Sequence, residues 1–246
     1  MRILVSIDDT DDADSKGTGE IAEMLAAGLA GQGLASVGRV TRHQLLIHPD
    51  IAYTSHNSSM CFEADIAESA LEEVIAACAE RLKTESVESS DPGLAVVALD
   101  RLADPARLVD YGRSAKERVI SKDEAYGLAG ELGVHLSEHG GTGIGVIGAL
   151  AGAGLKLSGN DGRFKGKFNL AGDERGIGTV AQIKRQGVDS VRTLDGQTLG
   201  EDECVRLGDE CKLVLCDGVA VLMVQPSDEG PGSPWSLVDR RALKSF

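Results

Sequence analysis

Aromatic side chains are scarce in this chain: one Trp, three Tyr and four Phe among 246 residues. A core built on large rings is therefore excluded, and Ala, Val, Leu and Ile must fill it. No C-x-x-C pair occurs, and the five cysteines (Cys61, Cys78, Cys204, Cys211, Cys216) are odd in number. That excludes a zinc ribbon and argues against a disulfide framework. No apolar run reaches the roughly 20 residues that a membrane-spanning helix needs, and the opening MRILVSI lacks the layout of a secretory leader. Positive charge is also short, with 25 Lys and Arg against 39 Asp and Glu, a formal net charge of −14. Broad, non-specific binding of nucleic acid runs through a basic surface and is not expected here. These absences lead to the expectation of a reduced, cytoplasmic protein without a membrane anchor.

What the chain does have is enough apolar surface for a core, at 42% hydrophobic residues, and abundant glycine, 31 residues. RILVSI (2–7) reads as a strand buried on both faces. Residues 19–32 place Ile21, Leu25 and Leu29 on one helical stripe, and 66–84 form a second amphipathic helix. SMCFEAD and GLAVVALD read as further strands. Residues 101–138 look mainly helical, a glycine-dense segment follows over 138–166, and short strands dominate from about 167 to 226. The Gly/Pro/Ser-rich SDEGPGSPWS reads as an exposed tail. The alternation predicts an α/β (α+β) fold. A mixed-sheet, nucleotide-binding domain over 1–125 would precede a smaller ferredoxin-like or β-rich region over 126–246, which the glycine-rich helix opens.

Chemistry concentrates in IDDTDDADSKGTGEIAE. Two carboxylates about 4 Å apart repel by about 4 kcal/mol at an effective dielectric near 20. Five aspartates within seven residues (Asp8, Asp9, Asp11, Asp12, Asp14) therefore need solvation, raised pKa values or a bound cation. Oxygen ligands at the exit of a buried strand suit Mg²⁺ with phosphate oxygens completing its shell. Lys16, Gly17, Thr18 and Gly19 then lead into a helix whose N-terminus attracts phosphate. The plainer reading makes Thr18 the helix N-cap and Asp12 and Asp14 solvated turn residues.

SIDDTDDADSKGT (6–18) resembles the opening of the archaeal isoleucine-tRNA agmatinylcytidine synthetase family. Two more stretches are similar: RVTRHQLLIHPDIAYTSHNSSMCFE (39–63), with its polar loop, and GTGIGVIGALAGAGL (141–155). The resemblance covers roughly residues 1–165. It implies that Asp8, Asp9 and Asp11 are metal and phosphate ligands for ATP and Mg²⁺. Thr18 would be the residue phosphorylated during ATP breakdown, with Asp9 as its catalytic neighbour. Asn57, with His56 and Ser58 beside it, would lie in the nucleotide loop, and Lys16, Gly17 and Gly19, taken from the local pattern, join them as candidate nucleotide-binding residues. Ser6 stands where the family has glycine, and Lys16-Gly17 where it has Met-Cys. The family continues into an OB-fold and a zinc ribbon that hold tRNA. Their absence from this stretch leads to the expectation of related phosphotransferase or ligase chemistry on a smaller acceptor, an amine among the candidates, without autonomous tRNA binding.

Two other functions fit the same residues. One is a non-catalytic nucleotide-binding or regulatory module. The other is a haloacid-dehalogenase-like phosphatase with Asp9 as nucleophile and Asp11 as acid/base, for which Lys122 and Asp123 would have to supply the remaining groups. Gly143-x-Gly145-x-x-Gly148 matches a dinucleotide fingerprint as a string, but HLSEHGG before it is not an apolar strand. Close packing of a helix, with its first turn lining the cleft, is the preferred role. His135 and His139 have the spacing of a metal pair on a helix but no evident third ligand. The basic SGNDGRFKGKFNL (158–170) reads equally as an anion-binding loop or an exposed hairpin.

Overall fold

The computed structural model describes residues 1–12, 14–51, 57–208, 210–227 and 235–246. They form two compact units, Met1–Ser158 and Gly159–Phe246.

In the first unit, strand β1 (Arg2–Asp8) lies between β4 (Ser58–Ile66) and β5 (Gly93–Ala98). Strand β3 (Thr41–Gln44) flanks β4 on one side and β6 (His135–Glu138) flanks β5 on the other, while β2 (Ala35–Val37) also pairs with β4. All these pairings are antiparallel. Both faces of the sheet are covered, which is why β1 is apolar almost throughout. Ile3, Val5 and Ile7 meet α1 (Thr18–Gly31) and α2 (Leu71–Glu85) in one core. The alternate residues Leu4, Ser6 and Asp8 face the other side, where α3 (Pro105–Ser114), α4 (Lys122–Leu132) and α5 (Val146–Ser158) build a second core.

Helix α5 approaches closely because glycines stand at its tightest contacts. A Cβ on Gly152 would lie 2.2 Å from Ser59 Oγ and 2.7 Å from Ser6 Oγ. One on Gly154 would lie 2.1 Å from the Leu108 carbonyl oxygen of α3. The close-packing role expected for the glycine segment is thus what the structure displays. α4 starts at a capping box between Ser121 and Glu124 and ends at Gly133, left-handed at φ 71.

Two sequence expectations change here. Residues 135–138 extend as an edge strand, His135 opposite Val96 and Leu136 opposite Ala95, so His135 and His139 do not share a helix. The division of the chain falls after Ser158 rather than at 125/126, because α4, β6 and α5 all pack on the first sheet.

The second unit is β-rich. Strands β7 (Arg163–Phe164), β11 (Leu213–Cys216), β12 (Val219–Pro226), β13 (Trp235–Leu237), β10 (Cys204–Arg206) and β8 (Ile177–Thr179) lie side by side in that order. Strand β9 (Ser190–Thr193) joins β12, and the parallel pairings β9–β12 and β10–β13 make this sheet mixed. One five-residue helix, α6 (Val180–Lys184), follows β8. The β11–β12 hairpin turns on Asp217-Gly218, both at positive φ (50 and 77). Trp235, expected in an exposed tail, is half-buried in β13, where β10 and β12 pair with it. No helix among the described residues is long and apolar enough to cross a membrane.

Candidate functional site

At the carboxyl end of β1 a cavity of about 800 Å³, counted with its open mouth, lies within the first unit. Asp8, Asp9 and Asp11 form its acidic end with Thr18, at the start of α1. Gly145, Ile147 and Gly148, from the turn and first residues of α5, form the opposite side. Leu45, Ala115 and Ile120 add an apolar wall with Ile51, Val119 and Ile144, and Asn57, Ser58, Asp50 and Arg118 complete the lining.

Asp8 belongs to the α5 face of β1, and its carboxylate occupies space that only a glycine opposite can leave. A Cβ on Gly148 would lie 1.7 Å from Asp8 Oδ2. Asp8 is 9% exposed. Burial pushes its pKa up to about 8, with the Asp9 charge adding to the rise and the Asp9 backbone N–H opposing it. Asp9 sits at φ 54, a left-handed conformation uncommon outside glycine. Its pKa is pushed up to about 6, by burial first and then by the charges of Asp91 and Asp11, against a hydrogen bond from the Asp91 backbone.

Thr18 does not cap α1. The N-cap is Gly17, extended and without a side-chain cap, and Thr18 is the first helical residue. Its buried hydroxyl donates instead to Asp11 Oδ1 at 2.8 Å. That places a nucleophile-class hydroxyl against a carboxylate inside the cavity.

The other sequence-selected residues divide. Asn57 and Ser58 line the cavity and are held in place by the strands beside them. Asn57 Nδ2 donates to the Leu46 carbonyl at 2.6 Å, and Ser58 Oγ accepts from Arg42 Nε at 2.9 Å. Gly17 and Gly19 belong to the N-terminal end of α1. Lys16 pairs with Glu85 of α2 at 2.7 Å and is not part of the lining. His56 lies outside the described residues. Lys122, needed by the phosphatase alternative, donates to Glu138 and to the Thr142 carbonyl, away from the lining. His135 and His139 both meet the Ser137 hydroxyl, at 3.0 and 2.9 Å.

Sequence reading missed Asp91, which acts on Asp9 from the loop before β5, and Arg118, a cavity cation paired with Glu124 at 2.8 Å. Asp91 had one readable signal, a polar SSDPG stretch directly before a buried strand. Among the described residues no three His, Cys, Asp or Glu side chains make a ready-made metal group. The donor chemistry nevertheless suits Mg²⁺. Hard carboxylate oxygens gathered at one end of a cavity match an ion that keeps waters and takes phosphate oxygens as ligands.

No protein-family model matches the chain, and no curated protein sequence matches it. Solved structures do. The crystal structure of apo TiaS, a tRNA agmatidine synthetase, is 25% identical, with a TM-score of 0.53 over 63% of this chain and 35% of its own. The complex of TiaS with its tRNA and ATP gives 26% identity and a TM-score of 0.55 over 63% of this chain and 36% of that one. A tRNA fluorescent labeling enzyme gives the same figures. The chain thus spans about a third of the length of these three structures. Over that share it resembles the tRNA agmatidine synthetase TiaS, the likeness that the acidic opening, the polar loop and the glycine segment had implied.

Proposed function

We propose that this protein is an ATP- and Mg²⁺-dependent phosphotransferase or ligase that works through a phosphorylated Thr18 and acts on an acceptor smaller than tRNA, an amine being the favoured class. The observation that carries the reading is the Thr18 hydroxyl, buried in the acidic cavity and hydrogen-bonded to Asp11 at 2.8 Å. TiaS, which this chain resembles, was solved with ATP and tRNA, which supports ATP as the nucleotide.

In this reading the γ-phosphorus–oxygen bond of ATP breaks and ADP leaves. A new bond forms to Thr18 Oγ1, whose proton passes to Asp11 Oδ1. Asp8, Asp9 and Asp11 would hold Mg²⁺, and the bound ion would neutralise phosphate charge and orient the triphosphate. The N-terminal end of α1, where Thr18 lines the cavity, and that of α5, at Gly145 and Gly148, would present positive dipole ends to the same phosphates. Asn57 and Ser58 would contact the nucleoside, and the apolar wall of Leu45, Ile120 and Ile147 suits its ring. The cytoplasm is the proposed compartment.

Incubation with γ-labelled ATP and Mg²⁺ tests the proposal. Wild type and Thr18→Ser are expected to take up label, while Thr18→Ala and Asp9→Ala are not. Label retained on Thr18→Ala would remove the threonine from the mechanism. Tight ATP binding without label would point to a nucleotide-binding module, and hydrolysis of simple phosphate esters without ATP to a phosphatase.

A further inference from the structure

We infer that Asp91 is a positioning residue for this cavity, a clasp that holds the glycine turn ahead of α5 against the end of β1. The inference rests on the proposed nucleotide site for its functional meaning, but its geometry stands apart from it.

Asp91 engages two segments at once, the glycine turn and the end of β1. Its carboxylate Oδ1 accepts the backbone N–H groups of Thr142 and of Gly143, the latter at 3.1 Å. Its carbonyl oxygen accepts the N–H of Gly145 at 3.1 Å. Its own backbone N–H binds the Asp9 carboxylate. The turn is gripped from the other side by Lys122, whose ammonium donates to the Thr142 carbonyl at 2.7 Å.

The packing leaves no slack. A Cβ on Gly145 would lie 2.2 Å from the Asp91 carbonyl oxygen and 3.0 Å from the Asp8 carbonyl oxygen. One on Gly141 would lie 2.3 Å from Asp91 Oδ1, and Gly141 and Gly143 both take positive φ (53 and 72). Backbone therefore meets backbone where β1, the loop before β5 and the glycine turn converge. Because Ile144, Gly145 and Gly148 line the cavity, the clasp decides how far that side stands from Asp8 and Asp9. Asp91 itself does not line it, so its action passes through the turn and through the Asp9 carboxylate that its backbone N–H holds.

An asparagine keeps an acceptor oxygen for Thr142 and Gly143, whereas alanine keeps none. Amide hydrogen exchange and Mg·ATP binding are measured on wild type, Asp91→Asn and Asp91→Ala, with Tm as the control for global stability. In Asp91→Ala, exchange at Thr142 and Gly143 is expected to accelerate at least tenfold. Its Kd for Mg·ATP is expected to rise about tenfold, while Thr18 labelling at saturating ATP stays within twofold of wild type. Asp91→Asn is expected to recover most of both. Unchanged exchange in Asp91→Ala overturns the clasp, and so does an Asn variant as impaired as the Ala variant. If wild type binds no Mg·ATP, the nucleotide reading fails while the exchange result still judges the clasp. Should Asp91→Ala not fold, Asp91→Asn decides alone: retained protection and affinity support the inference, and loss of both refutes it.

Discussion

Replacing Asp8 by asparagine isolates the electrostatic cost of the cavity floor. Asp8 is pushed from its ordinary 3.8 up to about 8, chiefly by burial. Between those values the folded protein holds a proton that the unfolded chain has lost, so stability falls as pH rises through that window and levels off above it. One pKa unit corresponds to about 1.4 kcal/mol, so the ideal loss for this group between pH 5 and pH 8 approaches about 4 kcal/mol. Relaxation and water entry reduce the expected loss to about 2 kcal/mol. Asp9, pushed up to about 6, adds a fall at the acidic end of the window that the variant keeps. Urea unfolding at pH 5, 6, 7 and 8 in the presence of a chelator measures the difference. Relative to Asp8→Asn, wild type should lose about 2 kcal/mol across the range. Addition of Mg²⁺ at pH 8 should stabilise wild type more than the variant, because only the wild-type floor offers the full carboxylate set. Parallel stability profiles for the two proteins would refute the claim that this carboxyl is buried at the cost of its charge.

Two substitutions probe the glycine face of α5. Gly148→Ala places a Cβ 1.7 Å from Asp8 Oδ2 and 3.0 Å from Leu45 Cδ1, so it should displace the carboxylate and weaken Mg·ATP binding at least tenfold by calorimetry. Gly152→Ala forces a methyl against Ser59 Oγ and Ser6 Oγ and should cost about 1–3 kcal/mol in denaturant unfolding. Ser59→Ala in the same chain should restore part of that loss. Alone it should cost little, since among the described residues the buried Ser59 hydroxyl finds no hydrogen-bond partner.

Where the sequence could be read, the signal was local. β1, β5 and α2 announce themselves because burial on both faces, or on one stripe, writes an apolar period into a short window. β6 gives no such signal. Its HLSE is a short edge strand with a single apolar residue, half-buried up to Ser137 and exposed at Glu138, made extended by its pairing with β5. Trp235 in β13 was hidden for the same reason, as its partners in β10 and β12 lie elsewhere in the chain. The boundary between the units depends on α4, β6 and α5 docking on a sheet whose strands come from residues 2–98, a long-range fact that composition does not encode.

The site divides along the same line. Asp8, Asp9, Asp11 and Thr18 fall within eleven residues, so one motif could carry them, but their chemistry is set by partners far along the chain. A row of aspartates in an exposed turn would keep ordinary pKa values. Here Gly148 admits the Asp8 carboxylate beneath α5, and Asp91 lies beside Asp9, so two of the three carboxylates cannot ionise without cost. The glycine segment is therefore part of the electrostatics as much as of the packing. By letting the helix approach, it converts a solvated acidic turn into a floor short of positive charge, which a divalent cation and its phosphate could relieve. Neither stretch explains the other until the sheet brings them together.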